Sequence, residues 1–121
     1  MTDKQRKGKQ GEMLAARYLA SKGYSILETN WRYSRSEIDI IAKQGDTLVF
    51  VEVKTRSSNH VMDPEDSISP AKVKRIADAA TRYMDFTAHE WAIRFDVIGI
   101  LLKANGQYEI HHHQDSFFPQ G

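Results

Sequence analysis

Residues 37–54 read Glu-Ile-Asp-Ile-Ile-Ala-Lys-Gln-Gly-Asp-Thr-Leu-Val-Phe-Val-Glu-Val-Lys, and this stretch decides the fold. Its outer parts, 37–42 and 48–53, are rich in β-branched residues, which favour strands. Between them, Gln44-Gly45-Asp46 is typical of a hairpin turn. The sequence therefore predicts two antiparallel strands that are neighbours in a sheet.

Side chains alternate between the two faces of a strand, so Glu52 and Lys54 should share one face. On the partner strand, Glu37, Asp39 and Ile41 should share a face. A two-residue turn would place Asp39 opposite Glu52 or diagonal to it, depending on which pair makes the turn, whereas a three-residue turn with a bulge would change this register.

Neighbouring carboxylates in partly buried strands repel each other, and each is costly to remove from water unless a positive charge compensates it. Lys54 is one such charge. A hard divalent cation such as Mg²⁺ is another, because it prefers oxygen ligands and is often held by one or two carboxylates plus water.

The segment before this hairpin predicts a helix from Lys4 to Lys22, ended by Gly23. Glu12 falls on its apolar side beside small residues, so we predict that its carboxylate points inward toward the same acidic cluster. The alternatives are structural. Glu12 would then be a first-turn acid of a helix that starts later, Asp39 would end a turn, and Glu52 with Lys54 would form a surface ion pair.

The rest of the chain completes an α-β-β-β-α-β-β order within a single domain, residues 1–121. A mixed central sheet flanked by helices, an α/β sandwich, is the natural architecture for that order. The further predicted elements are a strand at Tyr24–Glu28, a loop at Ser57–Ser69, a helix starting at Ser69-Pro70 and reaching about Phe86, and strands at Trp91–Leu102 and Tyr108–His112 joined through Asn105-Gly106.

Composition sets limits on the chemistry. The chain has 121 residues, 40% hydrophobic and 27% charged, and no cysteine, so a metal would need oxygen or nitrogen ligands. With 17 basic and 16 acidic residues the net charge is +1, which gives no global case for nucleic-acid binding. No signal-like or membrane-spanning segment is visible, so we expect a cytoplasmic protein without membrane association.

A case for nucleic acid therefore depends on local basic patches, each of which has the alternative of being a solvated surface. We predict backbone-phosphate contacts for Arg56, Lys72, Lys74 and Arg75. A second basic patch lies at the N-terminus and comprises Lys4, Arg6, Lys7 and Lys9.

Other polar residues have structural interpretations. The adjacent histidines His111, His112 and His113 would point to alternate faces of a strand, which does not suit one shared metal ion. For Asp96, in the middle of a strand, we favour a hydrogen bond or salt bridge, with Arg94 as a candidate partner.

Five segments together resemble the YraN family of predicted endonucleases, which is similar to archaeal Holliday-junction resolvases of the PD-(D/E)XK superfamily. The resemblance runs from about Lys4 to Phe117. The segments are Gly8-Lys-Gln-Gly-Glu12, Asn30-Trp-Arg32, Glu37-Ile-Asp-Ile-Ile41, Val49-Phe-Val-Glu-Val-Lys-Thr-Arg56 and Arg94-Phe-Asp-Val97.

The resemblance implies a restriction-endonuclease-like αβββαβ core and a catalytic set of Glu12, Asp39, Glu52 and Lys54. Asp39, Glu52 and Glu12 would bind Mg²⁺ or Mn²⁺, and Lys54 would complete the E-x-K pair. Glu37 also matches a family position, but Ser36 stands before it where the family usually has glycine.

The implied function is metal-dependent hydrolysis of phosphodiester bonds in DNA, with branched repair or recombination intermediates as candidate substrates. The alternatives are a nuclease fold that binds nucleic acid without cutting it, and an accessory factor that binds proteins alone. A twofold homodimer is compatible with the resemblance, because resolvases cut two strands symmetrically.

Overall fold

The computed structural model describes residues 1–57 and 68–116, which form two helices and five strands. The predicted element order is confirmed. The predicted loop Ser57–Ser69 falls mainly on residues 58–67, which lie outside the described residues. The elements are α1 (Asp3–Ser21), β1 (Ser25–Tyr33), β2 (Ser36–Gln44), β3 (Thr47–Ser57), α2 (Pro70–Thr87), β4 (Ile93–Leu102) and β5 (Tyr108–His113).

The five strands form one mixed sheet in the order β1-β2-β3-β4-β5. Only β3 and β4 run parallel among these pairs, and the other neighbours are antiparallel. The chain reaches β4 from β3 through α2, since a parallel pair needs a crossover connection. The predicted mixed α/β architecture is therefore confirmed.

The two helices cover opposite faces of this sheet, because alternate residues of β3 pack against different helices. Val49 and Val51 contact the layer formed by α1, whereas Leu48 and Phe50 contact the layer formed by α2. The buried helix residues are Gly11, Leu14, Ala15 and Leu19 on α1 and Ile76, Ala79, Ala80 and Tyr83 on α2.

Both helices begin with side-chain caps. Thr2 accepts a hydrogen bond from the Gln5 amide, and the Gln5 side chain returns one to the Thr2 amide, which forms a capping box at α1. Ser69 caps α2 with Pro70 next to it, as predicted. These caps fix where each helix starts, and both starts lie at the candidate site.

The β2–β3 hairpin has a two-residue turn. Gln44 pairs with Thr47, and the register continues to Ile40 opposite Val51. Gly45 supplies the positive φ of 59° in this turn. The register needed to bring Asp39 to Glu52 is therefore present.

Strand β1 differs from its prediction, because it extends to Tyr33 instead of ending at Glu28. Its register with β2 shifts between Ile26 and Glu28, and Asn30 has a positive φ of 51°. These irregularities interrupt the alternation of polar and apolar residues by which a long strand is recognised.

In the described parts of the chain, neither helix is long and apolar enough to span a membrane.

Candidate active site

Strand β2 loses its regular alternation at Asp39. Ile38 and Ile40 are both fully buried, yet Ile38 packs in the layer of α2 and Ile40 in the layer of α1. In a regular strand these two side chains would share a face. The prediction that Glu37, Asp39 and Ile41 lie on one face of a regular strand is therefore wrong.

Asp39 joins the two strands with its side chain at the point where the backbone ladder ends. The ladder between β2 and β3 ends with the pair Ile40 and Val51. Beyond it, the carboxylate of Asp39 accepts a hydrogen bond from the Val53 amide, with Oδ2 2.8 Å from N. This bond fixes one oxygen of Asp39 on β3, next to Glu52.

Glu52 is the more deeply buried acid, with 4% of the residue exposed. Its Oε1 contacts the ammonium of Lys72, which lies in the first turn of α2. The Lys72 amide donates to the Ser69 cap, so the start of α2 sets the position of this lysine. The structure therefore places Lys72 against a carboxylate.

Helix α1 approaches the end of β3 through Gly11. A Cβ atom at Gly11 would lie 1.8 Å from Oγ1 of Thr55 and 3.0 Å from its Cβ, distances that a real side chain could not adopt. Only glycine allows this approach. It brings Glu12, the next residue, to the same cleft as Asp39 and Glu52.

Asn30 connects Glu12 and Glu37, a role that the sequence patterns did not predict. Its Nδ2 donates to Oε2 of Glu12 and to Oε1 of Glu37, both at 2.8 Å. Arg32 also lies 3.3 Å from Glu37. The positive φ of Asn30 is a conformation that asparagine tolerates better than most residues. The one sequence signal for a role of Asn30 was its place in Asn30-Trp-Arg32, a segment that carries the family resemblance.

Burial and two neighbouring acids raise the pKa of Asp39. Burial and the charge of Glu52 raise the pKa of Asp39 to about 7 from its ordinary 3.8, and Glu12 adds to the effect. The Val53 amide and Lys72 act in the opposite direction. Burial and the neighbouring carboxylates therefore disfavour the charged form of Asp39, and a cation bound beside it would remove that penalty.

Lys54 follows Glu52 on the same face of β3. Burial lowers the pKa of Lys54, and the positive charge of Lys72 lowers it further, while Glu52 and Asp39 raise it. The net effect is a pKa of Lys54 below the ordinary value of a lysine side chain.

These groups line an open cleft of about 730 Å³ between the starts of the two helices and the end of β3. A smaller pocket of about 210 Å³ adjoins it and shares Asp39, Glu52 and Lys72 with the cleft. The remaining side chains of the cleft are mainly basic or polar: Lys4, Lys7, Lys54, Thr55, Arg56 and Ser57.

Three of the four predicted phosphate contacts lie at these openings. Arg56 lines the cleft, Arg75 lines the smaller pocket, and Lys72 lines both. Lys74 is exposed on α2 and lines neither of them. From the N-terminal patch, Lys4 and Lys7 line the cleft, and Nζ of Lys7 donates to Oγ of Ser57 at 2.9 Å.

The structure brings the three predicted metal ligands to one cleft without gathering them into one ligand set. Within residues 1–57 and 68–116, no three acid or histidine side chains are arranged to hold a metal ion as they now lie. Glu12 is hydrogen-bonded to Asn30, while Asp39 and Glu52 adjoin each other. Two adjacent carboxylates with an open cleft in front of them fit the needs of Mg²⁺, which keeps much of its water.

Asp96 and the histidines lie in a separate buried network. Oδ1 of Asp96 is 2.9 Å from Nε of Arg94, and Oδ2 accepts a 2.7 Å hydrogen bond from Nε2 of His112. His112 also contacts Tyr18 of α1, whereas His111 and His113 are exposed. The predicted structural role of Asp96 and the alternating histidines are confirmed.

The fold and the site define a class: an α/β protein with paired carboxylates and a lysine at the end of a central strand.

Comparison with known proteins gives the family. The model of the Uncharacterised protein family UPF0102 matches residues 11–100. A UPF0102 protein of Chlorobium chlorochromatii is 46% identical, over 92% of this chain and 90% of its own. Another, from Flavobacterium psychrophilum, is 44% identical over 92% of both chains. The chain belongs to the UPF0102 family, which supports the resemblance to the YraN family, while the endonuclease activity and the superfamily stay predictions.

Among solved structures, Pyrococcus furiosus SfsA in complex with Ca²⁺ is similar with a TM-score of 0.44 and 16% identity. The likeness covers 93% of this chain and 64% of that chain.

Proposed function

We propose that this protein is a metal-dependent endonuclease that hydrolyses phosphodiester bonds in DNA, on a restriction-endonuclease-like core of the PD-(D/E)XK kind. One observation carries the proposal. Asp39 and Glu52 adjoin each other, with Lys54 beside them, in a cleft whose other charged groups are mainly basic. Carboxylates suit the cation and basic groups suit the phosphate, so the cleft has partners for both.

Each residue has a defined task in this proposal. Asp39 and Glu52 would hold Mg²⁺ or Mn²⁺, with Glu12 reaching it directly or through water. A cation held there would neutralise charge on a phosphate oxygen and lower the pKa of water, which would make hydrolysis accessible at neutral pH. Lys54 donates a hydrogen bond toward the reacting phosphate or the attacking oxygen, where it stabilises developing negative charge.

The basic residues would hold the substrate by its backbone. Lys4, Lys7 and Arg56 line the cleft, and Arg75 lines the adjoining pocket. Contacts of this kind position a nucleic acid without reading its sequence. Branched DNA is the substrate class that we expect, and a twofold dimer would suit symmetrical cutting of it.

The first prediction concerns cleavage. We expect wild type with Mg²⁺ or Mn²⁺ to nick supercoiled and branched DNA, and D39N and K54M to reduce the rate by about a hundredfold or more. Lys103→Met is the control, because Lys103 pairs with Glu109 away from the cleft. Melting temperatures of all four proteins report whether the fold is retained.

A K54M protein that unfolds would instead indicate a structural ion pair. Cleavage of RNA rather than DNA would correct the substrate class. Wild-type activity retained in D39N would contradict the proposed site.

A second candidate function is nucleic-acid binding without cleavage. It is favoured by the arrangement of the acids, since no three of them form a ligand set in the described residues and Lys72 pairs with Glu52. A metal titration with a panel of linear and branched DNA separates the two functions, because a binding module would retain DNA and never nick it.

A further inference from the structure

Lys72 contacts the most buried acid of the site. Only 5% of the Glu52 side chain is exposed, against 36% of the Lys72 side chain. Lys72 comes from α2, whereas Lys54 is two residues from Glu52 on the same strand. The start of α2 thus supplies a second ammonium to a site that already has one.

The cap of α2 does not use this second ammonium. Ser69 caps α2 through the Lys72 backbone amide, and that hydrogen bond does not involve the side chain. The side chain instead neutralises Glu52, because a carboxylate as buried as this one requires a positive partner.

We infer that the Lys72 ammonium occupies the place beside Glu52 that a divalent cation takes, so that Lys72 and the cation compete for this carboxylate. The inference rests on the proposed function in one respect, the assignment of Glu52 as a metal ligand. It adds that the protein carries its own counter-ion for the metal-free state and must release it when a metal binds.

The surroundings of Lys72 give the released side chain a second partner. Lys72 lines both the cleft and the adjoining pocket, where Arg75 and Arg35 are its basic neighbours. A phosphate group of a nucleic acid placed there would draw the ammonium away from Glu52. Nucleic acid and metal would then each increase the affinity for the other, as linkage requires of two ligands that favour the same state.

The test is metal affinity in the absence of nucleic acid. We expect K72M to bind Mn²⁺ about tenfold more tightly than wild type in calorimetric titrations, because the competing charge is gone. Lys74→Met is the matched control, since Lys74 lies on the same helix and lines neither pocket. Its Mn²⁺ affinity should equal that of wild type.

Stability provides a second readout that does not depend on activity. Without metal, K72M should melt at a lower temperature than wild type, because Glu52 loses its partner. Added Mn²⁺ should raise the melting temperature of K72M more than that of wild type. Lys72→Gln is the substitute variant if K72M does not fold, because glutamine keeps a hydrogen-bond donor for Glu52 without the charge. It should also bind Mn²⁺ more tightly than wild type.

The outcomes separate the inference from the proposed function. If wild type, K72M and K72Q bind Mn²⁺ with equal affinity, or the variants bind it more weakly, the competition is refuted and the nuclease proposal stands. A Mn²⁺-bound structure that retains the ion pair between Lys72 and Glu52 would also refute it. If none of the proteins binds a divalent cation, the proposed function fails, and the inference fails with it.

Discussion

Asp39 combines two demands that oppose each other. Its hydrogen bond to the Val53 amide holds it on β3 and favours the charged form, while burial and Glu52 favour the protonated form. The result is a carboxyl group that titrates near neutral pH when no metal is present. A cation bound beside Asp39 would lower its pKa, because the positive charge offsets the repulsion from Glu52 and the cost of burial. Binding of the cation would then release the proton.

This property predicts a pH dependence of stability. The folded protein holds the Asp39 proton up to a pKa of about 7, whereas the unfolded chain releases it near 3.8. The contribution of Asp39 to the free energy of unfolding is therefore full below pH 3.8 and is lost as pH rises through about 7. Urea unfolding of the metal-free protein at a series of pH values should show this decline.

D39N is the control for that decline, because asparagine does not titrate. Its stability should change less than that of wild type across the same interval. Identical pH dependence in the two proteins would show that Asp39 is not the titrating group.

At the scale of the element, Gly11 sets the distance between α1 and β3. We expect G11A to destabilise the protein by about 1–3 kcal/mol, since the added methyl group meets Thr55 and the helix must move. The same movement displaces Glu12, so metal-dependent cleavage should fall as well. Chemical denaturation measures the loss of stability, and nicking of supercoiled DNA with Mg²⁺ or Mn²⁺ measures the loss of cleavage.

Gly8 provides a matched control one turn earlier on the same helix. A Cβ atom there would meet nothing within 4 Å. We expect G8A to leave stability unchanged or to raise it by about 0.5–1 kcal/mol, the ordinary gain for alanine over glycine in a helix. Equal effects of G8A and G11A would show that the contact with Thr55 does not limit the approach.

At the scale of the whole molecule, Asp96 connects elements that are far apart in the sequence. Burial raises the pKa of Asp96, but hydrogen bonds from Arg94, the Asp115 amide and His112 outweigh it and bring the pKa below its ordinary value. Asp96 thus joins β4 to β5 and to the residues after it, and through His112 to α1.

We expect D96A to reduce the free energy of unfolding by about 3–5 kcal/mol, because Arg94 and His112 would lose their buried partner. Urea denaturation measures the loss. Glu109→Gln is the control, since Glu109 forms its ion pairs with Lys103 and His111 on the exposed surface. No measurable change is expected for it, and a small effect of D96A would contradict the buried network.

The sequence was sufficient for the element order, because the β-branched runs, the capped helix starts and the Gln44-Gly45-Asp46 turn are local signals. It also indicated the neighbouring placement of Asp39 and Glu52, which follows from strand register. The break at Asp39 that sends Ile38 and Ile40 to different layers depends on twist and packing, and no local pattern encodes it. The contacts of Asn30 and Lys72 are likewise tertiary.

The short turn between β2 and β3 determines which mutations of the hairpin preserve the site. Asp39 precedes Gln44 by five residues, and Glu52 follows Thr47 by five, so the two arms of the hairpin are of equal length. Replacing Asp46 leaves the arms equal. Deleting or inserting one residue within a single arm would shift the register between Asp39 and Glu52, even if the mutation were several residues away from both.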